Sequence, residues 1–136
     1  AFPRNAAAGL DRQRIALLMA VLHKRVGLEL EDLDVFVNIT GGVRVDDPGI
    51  DLGVAMAITS NHRDIAIDPC TVLIGEVGLG GEVRPVAHVE KRLREAEKLG
   101  FTRAVLPEYN LKGLELVENI DLVGVRDLYD ALNILM

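Results

Sequence analysis

At 136 residues the chain is long enough for one domain with a proper core and too short for two ordinary ones. It is 49% hydrophobic with no tryptophan and few aromatic residues, so the core expected is Val, Ile, Leu and Ala in an α/β layer fold. A net charge of −6 argues against a protein that coats nucleic acid with its whole surface. No apolar run approaches the ~20 residues that span a bilayer.

The first elements follow from caps and periodicity. Asp11 is a good N-cap, and Ile15, Leu18, Met19, Leu22 and Val26 recur at helical spacing until Gly27, which predicts a helix over 12–26. DVFVNIT (34–40) alternates and stops at Gly41-Gly42, as a strand does. Asp47-Pro48 then caps a helix, with the proline where its missing N–H costs nothing. The following GIDLGVAMAITSN is apolar almost all round, the mark of a buried helix. Gly53 and Ala57, four apart, let another element approach its backbone.

TVLIGEV (71–77) reads as a buried strand, joined through Gly78-Leu79-Gly80 to a second, GEVRPV (81–86). Residues 88–99 form an amphipathic helix with Val89, Leu93 and Ala96 inward and Gly100 as terminator. RAVLPE (103–108) is a strand, 109–118 is weakly helical, IDLVGV (120–125) is a strand, and RDLYDALNIL closes as a helix. The expectation is one α/β domain over 1–136 with a mixed sheet and no dividing linker. Because it opens almost directly on a helix, one or two sheet-forming strands are expected upstream. AFPRNAAAGLD carries Arg4 but no apolar leader segment, and Cys70 is alone, so a cytoplasmic setting without disulfides is expected.

Candidate sites are few. GEVGLGGEV has the glycines of a phosphate loop, but a strand follows where a helix would have to start, so it reads as a hairpin. No GxxxxGK[ST] occurs, so ATP is not expected to bind here by a P-loop. His23, His62 and His88 are not at metal-binding spacing. Ser60, the lone serine, sits late in an apolar helix, where its hydroxyl is expected to bond back to the preceding turn. Asp51 opens that helix, where the dipole favours an anion and an enzyme would place a nucleophile; plain capping accounts for it equally.

Positive charge is uneven. Residues 1–28 hold Arg4, Arg12, Arg14, Lys24 and Arg25 against Asp11 alone, whereas 31–70 hold Arg44 and Arg63 against eight acids. Arg84, Lys91, Arg92 and Arg94 gather around the third helix, where Arg94 and Lys98 find partners in Glu90, Glu95 or Glu97. Either a local basic face or a solvated helix surface explains this pattern.

The succession of a strand, a glycine-containing loop, a proline, the GVAMA helix, then GEVGLGGEVRP and an amphipathic helix resembles the proteolytic domain of Lon. That resemblance implies the ribosomal protein S5 domain 2-like fold. Lon's nucleophilic serine, two residues before the glycine of GVAM, falls on Asp51. Its lysine base, aligned through Gly75-Glu76, Gly81, Val83 and Pro85, falls on Arg92, beside Lys91. Aspartate does not form and release an ester as serine does, and arginine stays protonated, so both peptidase roles are lost. An inert ion pair between Asp51 and Arg92 would fit in their place.

GLDRQRIALLMAVLHKRVG, DVFVNITGGVRVDDPGIDLGVAMAI and GEVGLGGEVRPVAHVEKRLREAEKLGF with RAVLPE resemble, more closely, the C-terminal domain of the bacterial RadA (Sms) family. The resemblance implies a role in recombinational repair beside RecA, a hexameric ring and a DNA-contacting surface; from the placement of charge, Arg44 and Arg14, which have no acid four residues away, are the first candidates for that contact, with Arg12, Arg84, Lys91 and Arg92. No cofactor is implied for this stretch; ATP, magnesium and zinc belong to other parts of the family's proteins. A pure oligomerisation scaffold is the alternative, and an active peptidase a distant third.

Overall fold

The computed structural model describes residues 5–30, 33–38, 45–114, 117 and 119–136. The chain divides into two compact units, Ala1–Asp47 and Pro48–Met136.

The first unit is a strand, a helix and a second, parallel strand. β1 (Asn5–Ala8) pairs with β2 (Val35–Asn38) in register from Asn5↔Val35 to Ala8↔Asn38. Parallel neighbours need a crossover between them, and α1 (Arg12–Val21) supplies it. The sequence reading missed β1 and placed a helix first. NAAA carries no β-branched residue, so only its pairing with β2 makes it a strand. Asp11 is the N-cap expected: it is extended, and its Oδ1 accepts the Gln13 N–H at 2.9 Å. Ile15, Leu18, Met19, Val21 and Leu22 are buried. The predicted helix runs to Val26, but its last turn, Leu22–Val26, widens to π geometry before Gly27 ends it at φ 78°. His23 Nδ1 stands 2.8 Å from the Leu28 carbonyl, which places the ring proton on that nitrogen.

In the second unit Pro48–Ile50 forms a single 3-10 turn that leads into α2 (Asp51–Arg63). α2 buries Leu52, Ala55, Met56, Ile58 and Thr59, while Ala57 is exposed and Val54 half-buried. It is therefore one-sided in this chain rather than enclosed all round. A Cβ on Gly53 would lie 3.8 Å from Leu73, so the close approach read from that glycine is made by the neighbouring strand.

That strand, β3 (Thr71–Leu73), is the edge of a parallel sheet ordered β3-β6-β7, with β6 at Arg103–Pro107 and β7 at Asp121–Val125. On one face α3 (Val89–Lys98) sets Leu93 and Ala96 against Ile74, Ala104, Leu106 and Ile120. Val105 and Val125 point the other way by strand alternation and are equally buried; α2 packs on β3, and α4 (Leu128–Leu135) on β7. A sheet covered on both faces explains why these strands read as near-continuous apolar runs.

TVLIGEV is not one strand. The Ile74 N–H still donates to Val105, but Gly75 donates to the Gly49 carbonyl at 2.8 Å and accepts from the Leu52 N–H at 3.0 Å. The chain thereby leaves the sheet for the head of α2 and enters a hairpin, β4 (Glu76–Val77) with β5 (Val83–Arg84). The hairpin read from the glycines is present, and the parallel and antiparallel pairings occupy separate small sheets. The weakly helical stretch after β6 is a 3-10 turn, Glu108–Leu111.

Candidate functional site

Asp51 is 1% exposed at the first residue of α2, and its Oδ2 accepts the Val77 N–H at 3.0 Å. A buried carboxylate needs such partners, and the helix dipole adds to them. The residue aligned with the Lon serine is thus a buried tie between α2 and β4.

Arg92 lies half-buried on α3, and its Nε–H donates to the Ala87 carbonyl at 3.0 Å. This bond closes over His88, which caps the helix in the left-handed region at φ 57°, a role that the sequence did not suggest for that histidine. Just before it, Asn110 bonds both main-chain groups of Val86, accepting from its N–H at 2.9 Å and donating to its carbonyl at 3.1 Å. Asn110 was also missed; a lone amide in a loop carries no pattern.

The other cations fall into separate groups. Arg12 (exposed) and Arg14 (half-buried) stand on the first turn of α1, in the first unit. Arg84, Lys91 and Arg92 stand in the second. Arg44 lies outside the described residues. Arg84 is committed to a neighbour: its Nε and terminal nitrogen donate to Glu82 Oε1 at 3.2 and 3.0 Å. Arg94 pairs with Glu90 at 3.8 Å, as its spacing predicted. Lys91 borders an open depression along α3 with His88, Arg94 and Lys98, where Glu90 and Glu95 offset part of the positive charge.

The serine expectation is corrected. Ser60 Oγ donates forward to the Ile65 carbonyl, closing the end of α2, and it is Thr59 that bonds back, to Ala55 at 2.8 Å. Among the described residues no group of three or more His, Cys, Asp and Glu is placed to hold a metal. None of the described helices is long and apolar enough to cross a membrane.

A family profile described as subunit ChlI of Mg-chelatase matches residues 6–110. The chain is 49% identical over 132 residues to the DNA repair protein RadA of Halalkalibacterium halodurans, covering 97% of this chain and 29% of the relative. The DNA repair protein RadA of Bacillus subtilis is 47% identical over 130 residues, 96% of this chain and 28% of the relative. That of Streptococcus pyogenes serotype M1 is 43% identical over 130 residues, with 96% and 29% covered. The chain spans under a third of the length of these curated relatives. It belongs to the family of that ChlI profile, and it matches a C-terminal stretch of the RadA-type proteins.

Proposed function

We propose that the chain is the non-proteolytic, Lon-like module of a RadA-type DNA repair and recombination protein, serving hexamer assembly and DNA contact while branched intermediates are processed. The observation that carries the non-proteolytic part is Asp51. At the position where Lon has its serine stands a buried carboxylate tied to the Val77 N–H. The lysine position holds Arg92, a base only at extreme pH. The whole protein would act in the cytoplasm beside RecA, with ATP, magnesium and zinc bound by other parts of it.

DNA contact would run through Arg14, Arg12, Arg44, Lys91 and Arg92, with Arg84 weakened by its bond to Glu82. The depression along α3, where Lys91, Arg94 and Lys98 outnumber Glu90 and Glu95 by one charge, supports the reading. Phosphate contacts supply affinity that falls as salt rises. The test is binding of this chain to duplex and branched DNA across a salt series. A slope near zero with no retention at low salt leaves the scaffold-only alternative. Incubation with casein tests the other half; cleavage lost in a Ser60→Ala variant would restore a peptidase.

A further inference from the structure

Among the described residues two buried side-chain polar atoms have no hydrogen-bond partner, Thr71 Oγ1 and Arg103 Nε. They belong to neighbours. β3 and β6 pair in parallel with Thr71 in register with Arg103, so the two side chains leave the same face of the sheet from strands about 4.8 Å apart. Each is the first residue of its strand, at the foot of the face that carries Leu73 and Val105 further along. Buried polar groups are almost always satisfied, and one left without a partner is costly. Two such atoms side by side share one missing acceptor.

The chain around them does not supply it. Thr71 donates its main-chain N–H to the Asp68 carbonyl and Arg103 its own to Cys70, but neither bond engages the side chains. The Asp68 carboxylate is taken by the Cys70 N–H at 2.9 Å. Asp121, in register with Arg103 on the other side, is exposed, and no ion pair among the described residues includes Arg103. Thr71 is 9% exposed and Arg103 half-buried, so the hydroxyl is fixed in the core while the longer side chain can swing to admit a ligand.

We infer that Thr71 and Arg103 together bind one oxyanion of the phosphate class at the foot of the β3-β6 pair. Charge selects the ligand. A neutral molecule would satisfy the hydroxyl and leave the guanidinium without a counter-charge, whereas a phosphate offers one oxygen to the Nε–H and another to the hydroxyl. Hydrogen bonds to an ionised acceptor are roughly twice as strong as neutral ones, and the planar fork of arginine suits paired oxygens. A free phosphate and a phosphate of a DNA backbone present the same oxygens. These residues lie outside the set proposed for DNA contact, and inorganic phosphate tests them without DNA.

The test is titration of the isotope-labelled chain with inorganic phosphate at constant ionic strength, read by NMR at the Arg103 Nε–H and the Thr71 amide. Both resonances are expected to move together with a single Kd. Thr71→Val keeps the shape and removes the hydroxyl. It is expected to weaken phosphate binding roughly tenfold and, without phosphate, to raise the urea midpoint, because a buried group lacking a partner has gone. Arg103→Gln is expected to abolish the response. A short DNA duplex separates the two sources: movement of the same resonances with DNA assigns a backbone phosphate, and movement with inorganic phosphate alone assigns a free one. No movement with either, or movement that persists in Arg103→Gln, overturns the site. A lowered urea midpoint for Thr71→Val also overturns it, because the hydroxyl then already bonds a water.

Discussion

The Asp51 carboxylate accepts the Val77 N–H from a site 1% exposed, joining the first turn of α2 to β4. It thus stabilises the hairpin from within the core. Asp51→Ala leaves a buried N–H without its acceptor and is expected to cost about 1–3 kcal/mol in urea denaturation. Asp51→Asn keeps an acceptor oxygen and costs less. Asp51→Ser restores the Lon nucleophile by type, but with Arg92 in the lysine position it should still cleave no casein.

Gly124 makes a sharper stability prediction. A Cβ there would meet Leu111 Cδ1 at 2.7 Å and the Glu108 Cα at 3.1 Å. Leu111 can swing; the backbone of Glu108 cannot follow freely, because it continues directly from β6. Gly124→Ala is therefore expected to destabilise by about 1–3 kcal/mol, the usual cost of overpacking. An unchanged urea midpoint would mean that the 3-10 turn yields without cost.

What could be read from the sequence was local. Asp11 and Gly27 bracketed the first helix, and Val89, Leu93 and Ala96 marked the buried side of α3, because caps and 3.6-residue spacing are written within a few residues. What could not be read depended on distant partners. Nothing in NAAA announces a strand until Val35–Asn38 lies beside it. Nothing in TVLIGEV announces the break at Gly75, which is made by Gly49 and Leu52. At the candidate site, spacing located Asp51, but its bond to Val77 spans 26 positions. Spacing likewise showed Arg94 beside Glu90, yet it grouped Arg84 with the cations that could contact DNA, because nothing in the pattern shows that Glu82, two residues before it, fills the Gly78–Gly81 turn.

That turn is pH-sensitive in a defined direction. Glu82 is held below the usual carboxylate range, first by a main-chain N–H, its own, and also by Arg84 and the Gly80 N–H, against partial desolvation. A lowered folded-state pKa contributes stability that is fully present above the unfolded carboxylate range. It is lost as pH falls through the folded value. Glu82→Gln should therefore lower the urea midpoint at neutral pH and converge with the unmodified chain in strong acid. With Arg84 and Glu82 side chains 53% and 44% exposed, the difference should stay within about 1 kcal/mol. A gap that widens on acidification would show that the carboxylate does not hold the turn.

For DNA, pairing within the protein separates the cations that spacing alone grouped together. Arg84 is spent on Glu82, and Arg94 on Glu90, so neither brings a full positive charge to a phosphate. Lys91 is exposed on the same helix as Arg92, at the edge of the basic depression. If phosphates bind there, Lys91→Ala should weaken binding similarly on every DNA sequence and reduce the salt slope by about 1. Arg14→Ala and Arg44→Ala should do the same if the first unit contributes. Arg84→Ala should leave the slope almost unchanged while loosening the hairpin, which hydrogen exchange at the Gly78 N–H would detect. The reverse result, a lost slope with Arg84→Ala and none with Lys91→Ala, would move the DNA contact from α3 to the hairpin.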